Sequence, residues 1–250
     1  MKKSLIPILI AALAICISCT KKEYDVYLLI GQSNMAGRGT LTEDDFNTGI
    51  EGIFLLDSLD RPVTASHPYN QYSTIRKDIR LQQMGPGHAF ATKMHEISGR
   101  SVLLVVNARG GSELDSWMPG SRHFNEAVRR TAEAKKYGKL KGILWLQGCT
   151  DCDLGKTDSY MERLETMAKA LRDSLSARDV PFVAGEVPHW WNGSSDFNKN
   201  IRTIGDRIPL SGWISTEGCG MLKDETDPHY DRNSQLVIGS RFAERILELQ

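Results

Sequence analysis

The chain has 250 residues, 40% of them apolar and 25% charged, with Lys+Arg and Asp+Glu at 31 each. That is an ordinary globular composition, which excludes disorder and collagen-like repeats, and the lack of a basic excess argues against a nucleic-acid binder. Five cysteines are too few for a disulfide-built scaffold, while the length suits one large domain with its own core.

Along the chain, the first segment is a leader. Lys2 and Lys3 precede an apolar run over 5–17, which has the length of a signal-peptide core and is too short for a membrane span. Residues 1–18 read as a signal peptide, 19–24 as a tether and 25–250 as the folded domain. Within that domain 26–30, 53–56, 102–106, 143–146 and 182–184 read as strands. Their Val, Ile, Leu and Phe scarcely alternate with polar residues, as in strands covered on both faces. Helices are predicted over 87–97, 124–136, 159–177 and 233–249. In the third of these, Met161, Leu164, Ala168, Leu171 and Leu175 recur at spacings of three and four. Strand–helix alternation implies a parallel sheet of about five strands with helices on both faces, and ligands in such sheets bind beyond the carboxyl ends of the strands.

Four polar segments fall at those ends. Ser33 lies just past a strand-ending glycine in Gly31-Gln32-Ser33-Asn34-Met35-Ala36-Gly37-Arg38-Gly39, where it is either a nucleophile with helix amides pointing toward it or a helix N-cap. Arg109-Gly110-Gly111-Ser112 permits close backbone approach to a ligand, or makes a turn. Gln147, emerging from an apolar strand, is either an oxyanion donor or a residue that ties loops together. His229 sits in an acidic loop before the last helix, where a carboxylate can fix its tautomer or where the loop merely caps the helix. Trp190 and Trp191 follow the last predicted strand and either stack on a sugar or pack their own loop. Cys149 and Cys152 read better as a structural disulfide, with each other or with Cys219, than as a redox pair. The histidines do not cluster as metal ligands do.

Together these segments resemble the SGNH-hydrolase superfamily, and within it the sialate O-acetylesterase and acetylxylan-esterase-like carbohydrate esterases. The nucleophile block is 31–39, the glycine block Gly110-Gly111-Ser112 with Trp117, the third block Trp145-Leu146-Gln147-Gly148, and the last His229-Tyr230-Asp231 with its helix. The resemblance implies a three-layer, flavodoxin-like domain that needs no metal or organic cofactor. By it Ser33 is the nucleophile and His229 the general base, with an oxyanion hole from the Ser33 amide, a Gly110 or Gly111 amide and the Gln147 side chain. The family places its Asp three residues before the histidine. Thr226 stands there in this chain, so Asp227 is the favoured partner and Asp224 the other candidate. Cys149 stands where the family commonly has Glu.

The expected activity is removal of O-acetyl groups from a carbohydrate by an acyl-serine route, with Arg38 or Arg109 contacting an acidic sugar and Trp190 and Trp191 its ring. The competing reading is a carbohydrate-binding surface lipoprotein whose esterase scaffold has lost activity. Ser18-Cys19 resembles a bacterial lipoprotein cleavage site, which implies lipidation at Cys19, export to the periplasm or outer membrane, and membrane contact through that anchor alone.

Overall fold

The computed structural model describes residues 23–46 and 49–250; the leader and Cys19 lie outside the described residues. The first half runs β1 (Tyr24–Gly31), α1 (Ser33–Ala36), α2 (Glu43–Phe46), β2 (Ile53–Leu56), β3 (Pro62–Thr64), α3 (Gly87–Ser98), β4 (Val102–Val106) and α4 (Arg122–Ala134). The second half runs β5 (Gly138–Leu146), α5 (Cys149–Asp153), α6 (Tyr160–Leu175), β6 (Phe182–Gly185), α7 (Ser194–Ile201), α8 (Ile204–Arg207), β7 (Ser211–Ile214) and α9 (Arg232–Glu248). Tyr24, assigned to the tether by the sequence, opens β1.

The strands form one seven-stranded sheet in the order β3-β2-β4-β1-β5-β6-β7. Every neighbouring pair is parallel except β2 and β3. Seven strands replace the expected five, and both additions are edge strands with weak sequence signals. β3 is three residues long, begins with Pro62 and is half-exposed. β7 opens on Ser211-Gly212, which reads as a turn, and leaves two apolar residues to mark it.

Both faces of the sheet are covered, which explains the near-continuous apolar runs. Val26, Leu28 and Ile30 of β1 pack on one side with Phe124 of α4, Leu164 and Leu171 of α6, and Phe197 of α7. Tyr27 and Leu29 pack on the other with Phe90 of α3 and Ile238, Phe242 and Ile246 of α9. The five-residue stripe of α6 is buried along its whole length, and each large side chain in it contributes about 1.5–3 kcal/mol. Polar caps start two of these helices. Ser121 accepts the Phe124 amide at 3.3 Å and Asp231 the Ser234 amide at 2.7 Å.

The expected disulfide is not formed: Cys149, Cys152 and Cys219 are free thiols. Cys149 and Cys152 belong to the core on one side of the sheet and Cys219 to the core on the other, so the sheet separates Cys219 from the other two. Cys149 itself is buried, and Cys152 on the same short helix packs toward Gly193.

The central position of β1 locates the chemistry. The chain leaves it first toward β2 and β4 and later toward β5, β6 and β7, so the loops after β1, β4 and β5 open side by side at the carboxyl edge.

Candidate active site

Gly31 ends β1 with φ +141°, and a Cβ there would lie 2.2 Å from the Leu146 carbonyl oxygen of β5. A glycine lets the two strands stay paired while the chain turns off the sheet. The one-turn helix α1 starts at Ser33 without a side-chain cap. The Ser33 hydroxyl, in a residue 5% exposed, lies 2.9 Å from His229 Nε2 and so does not serve as a helix cap.

His229 arrives from the loop before α9, and its Nδ1 is 2.5 Å from Asp227 Oδ1. The same oxygen accepts the His229 amide at 3.1 Å. Asp224 is engaged elsewhere, accepting the Thr226 amide at 2.9 Å and its hydroxyl at 2.6 Å. The two-residue spacing therefore still delivers a carboxylate to the imidazole, with Pro228 between them. Asn34 clasps this loop through Pro228 and Tyr230. Trp190 Nε1 donates to the Asp227 carbonyl at 2.9 Å, and its ring meets Tyr230 edge-on at 5.6 Å.

Burial pushes the His229 imidazole below the ordinary histidine value; Asp227 opposes this, while Arg38 and Lys223 add to it. The net shift is downward, so the ring is neutral near pH 7, the state in which Nε2 can take a proton.

Beside Ser33 the glycine loop is held by the Arg109 amide on the Gly31 carbonyl at 2.9 Å and the Ser112 amide on the Arg109 carbonyl at 3.3 Å. Among the described residues no acceptor engages the Ser33, Gly110 or Gly111 amide. A Cβ at Gly110 would lie 3.7 Å from Ser33 Cβ and 2.6 Å from Arg38 Nη2, so the glycine leaves space between the serine and the guanidinium.

Gln147 departs from the expectation of an oxyanion donor. It is 1% exposed, and its Nε2 faces Asp151 Oδ2 at 2.7 Å, the Ser112 carbonyl at 3.0 Å and Gln32 Oε1 at 3.2 Å. Its Oε1 accepts the Tyr160 hydroxyl at 2.7 Å. Three acceptors for two hydrogens leave none for a ligand. The loop-tying alternative is the one this geometry realises.

The remaining expected residues divide. Arg38 reaches the site: its Nη1 is tied to the Gly37 and Leu81 carbonyls at 2.6 and 2.7 Å, with Nη2 over Gly110. Arg109 Nη1 is tied to the Ile75 carbonyl at 3.0 Å. Trp191 donates to Asp153 at 2.9 Å and packs against the core, so it is not part of the His229 wall that Trp190 supports. Burial raises the pKa of the Cys149 thiol, so it carries no charge in place of the family's glutamate. Three residues without a predicted role stand out. Asn34 holds the histidine loop, Asp151 anchors the glycine loop, and exposed Lys77 has its Nζ 3.1 Å from where a Gly111 Cβ would be. Ser33 beside Asn34 was visible as a motif, but clasps across 34 to 194 positions need the fold to be seen.

A hydroxyl on a neutral imidazole, a carboxylate behind it and three unengaged amides suit nucleophilic acyl transfer. The family profile described as "Carbohydrate esterase, sialic acid-specific acetylesterase" matches residues 23–248. A probable carbohydrate esterase of Arabidopsis thaliana is 26% identical over 243 residues, covering 89% of this chain and 90% of the relative. The crystal structure of that Arabidopsis protein superposes with a TM-score of 0.80 at 24% identity, over 90% of this chain and 98% of the other. A carbohydrate acetylesterase from Xanthomonas citri superposes with a TM-score of 0.67 at 16% identity, over 90% of this chain and 56% of the longer neighbour. At these identities the two solved structures speak for the shared fold alone.

Proposed function

The chain belongs to the carbohydrate esterase family of sialic acid-specific acetylesterases, and on that premise we propose that it removes O-acetyl groups from a carbohydrate through an acetyl-serine intermediate. The observation that carries this reading is the relay Ser33 Oγ, His229 Nε2, His229 Nδ1, Asp227 Oδ1, with separations of 2.9 and 2.5 Å. His229 takes the Ser33 proton as Oγ attacks the acetyl carbonyl carbon. The Ser33 and Gly110 amides face the developing oxyanion. His229 then gives the proton to the departing sugar oxygen, leaving acetate bound to Ser33 Oγ as an ester. Water, deprotonated by the same imidazole, attacks that ester; the C–Oγ bond breaks, the imidazolium returns the proton to Ser33 Oγ, and acetate leaves. Asp227 fixes the tautomer with Nδ1 protonated and stabilises the imidazolium.

An acidic sugar as acyl carrier is supported by the Arg38 guanidinium over Gly110 and by Lys77 near Gly111. Arg109, tied to the Ile75 carbonyl, and Trp191, tied to Asp153, remain candidate contacts, and Trp190 braces the Asp227 carbonyl. The sequence start, with Lys2, Lys3, the apolar run and Cys19, supports export and lipidation. Radiolabelled palmitate incorporated by the parent and lost in Cys19→Ser tests that part.

The serine reading is tested by acetate release from p-nitrophenyl acetate and from O-acetylated sialic acid. Ser33→Ala is expected to abolish both. Retained turnover in that variant would refute the assignment.

A further inference from the structure

Gln147 is engaged on every side, and the acceptor nearest its Nε2 is Asp151. This carboxylate is wholly buried on α5. Its Oδ2 accepts the Gln147 amide at 2.7 Å and the Leu114 backbone amide at 2.9 Å. Its Oδ1 takes Arg163 Nη2 at 3.1 Å. A buried carboxylate needs such donors, because an unpaired charge in a dry interior is costly. What matters is where two of those bonds lead. Leu114 lies four residues after Gly110, and Gln147 passes its other hydrogen to the carbonyl of Ser112, two residues after Gly110. Trp117 Nε1 adds a bond to the Ser112 hydroxyl at 3.0 Å. At its near end the same loop is fixed by the Arg109 amide on Gly31.

We infer that Asp151, acting through Gln147 and Leu114, is the positioning residue that sets the Gly110 amide as an oxyanion donor, with Arg163 holding the carboxylate in place. The Gly110 amide is thus braced from both ends: β1 fixes it on the nucleophile side and Asp151 on the other. Arg163 extends the brace by also pairing with Asp115 at 2.7 Å, within the same loop. Asp151 touches no substrate in this arrangement. Its effect is on the geometry of an amide that matters in the tetrahedral intermediate more than in the ground state, so it acts on kcat and leaves KM nearly unchanged.

This inference rests on the acyl-serine reading, and Ser33→Ala tests that reading separately. The decisive comparison uses Asp151→Asn, Gln147→Ala and the double variant, with kcat expressed per active site titrated by a fluorophosphonate. Asparagine keeps the shape but replaces one acceptor oxygen by a donor, so it must lose either Arg163 or the Leu114 and Gln147 pair. Asp151→Asn is expected to lower kcat by roughly 10–100-fold with KM within about twofold, as a displaced catalytic donor would. Gln147→Ala should do the same, and the double variant should fall little further, because both remove one brace. A boronic acid that mimics the tetrahedral intermediate should lose affinity in parallel. Should Asp151→Asn not fold, Arg163→Met decides, with an expected several-fold fall in kcat at constant KM. The inference is overturned if Gln147→Ala loses activity while Asp151→Asn and Arg163→Met keep parental kcat per site. That pattern would make Gln147 a direct donor.

Discussion

Asn34 grips the chain on both sides of His229: its Nδ2 donates to the Pro228 carbonyl at 2.8 Å and its Oδ1 accepts the Tyr230 amide at 3.3 Å. Because Asn34 directly follows Ser33, Ser33 and His229 are held by one helical turn although 196 positions separate them. A carboxylate there keeps an acceptor for the Tyr230 amide but has no hydrogen to donate to the Pro228 carbonyl. Asn34→Asp and Asn34→Ala are therefore expected to lower kcat by roughly 10–100-fold with a smaller change in KM, the signature of a base displaced from its proton. Steady-state kinetics on p-nitrophenyl acetate check this. Parental kcat in both variants would show that the clasp is dispensable.

The choice of acid is tested in the same way. Asp227→Asn keeps the loop's shape but no longer fixes the Nδ1–H tautomer, so kcat is expected to fall by up to about 10⁴-fold. Asp224→Asn, whose partner is the neighbouring Thr226, should retain kcat within about twofold, as surface changes away from such features do. The reverse pattern would move the role to Asp224.

The pH profile follows from what surrounds the imidazole. Burial first, then Arg38 and Lys223, lower the His229 pKa, and Asp227 only partly opposes them. The base is active when neutral, so kcat/KM should be full above the His229 pKa and fall as the pH drops through it. That acid limb is expected below the ordinary value of about 6.5. Arg38→Gln removes a lowering charge and should move the limb upward. Asp227→Asn removes the raising partner and should move its residual activity's limb downward. Shifts of opposite sign to these would contradict the electrostatic assignment.

Gly31 couples sheet geometry to the nucleophile. A methyl group there would lie 2.2 Å from the Leu146 carbonyl oxygen, at a φ of +141°. Gly31→Ala is expected to cost more than about 3 kcal/mol, combining strain with a backbone clash. Gly99, the left-handed cap of α3, has nothing within 4 Å of its added methyl, so Gly99→Ala should cost only about 1–2 kcal/mol. Chemical denaturation midpoints of the two variants give the comparison.

Much of this architecture could be read from the chain. Strands β2 and β4 and the α6 stripe follow directly from apolar runs and periodicity, since burial on both faces or one face writes itself into residue type. The edge strands β3 and β7 were missed because a three-residue strand with a proline, or one opening Ser-Gly, carries little such pattern. At the site, Ser33, Gly110 and His229 are chemically conspicuous residues at strand ends and were legible. Gln147 was ambiguous because a buried amide reads alike whether it faces ligand or protein. Asn34 lies within the 31–39 block, but its clasp on Pro228, 194 positions away, cannot be read there; Lys77 and Asp151 carried no local signal, as Gly111 and Leu114 lie 34 and 37 positions from them. The disulfide expectation failed for Cys219 because cysteine count says nothing of which side of a sheet each thiol occupies.

The most direct test of the acyl-serine account is acid quenching of the enzyme during turnover of an O-acetylated substrate, followed by peptide mass spectrometry. The account predicts one acetyl group on the peptide that carries Ser33, formed in a burst and absent in Ser33→Ala. Acetate released at full rate with Ser33 unmodified at every quench time would contradict it.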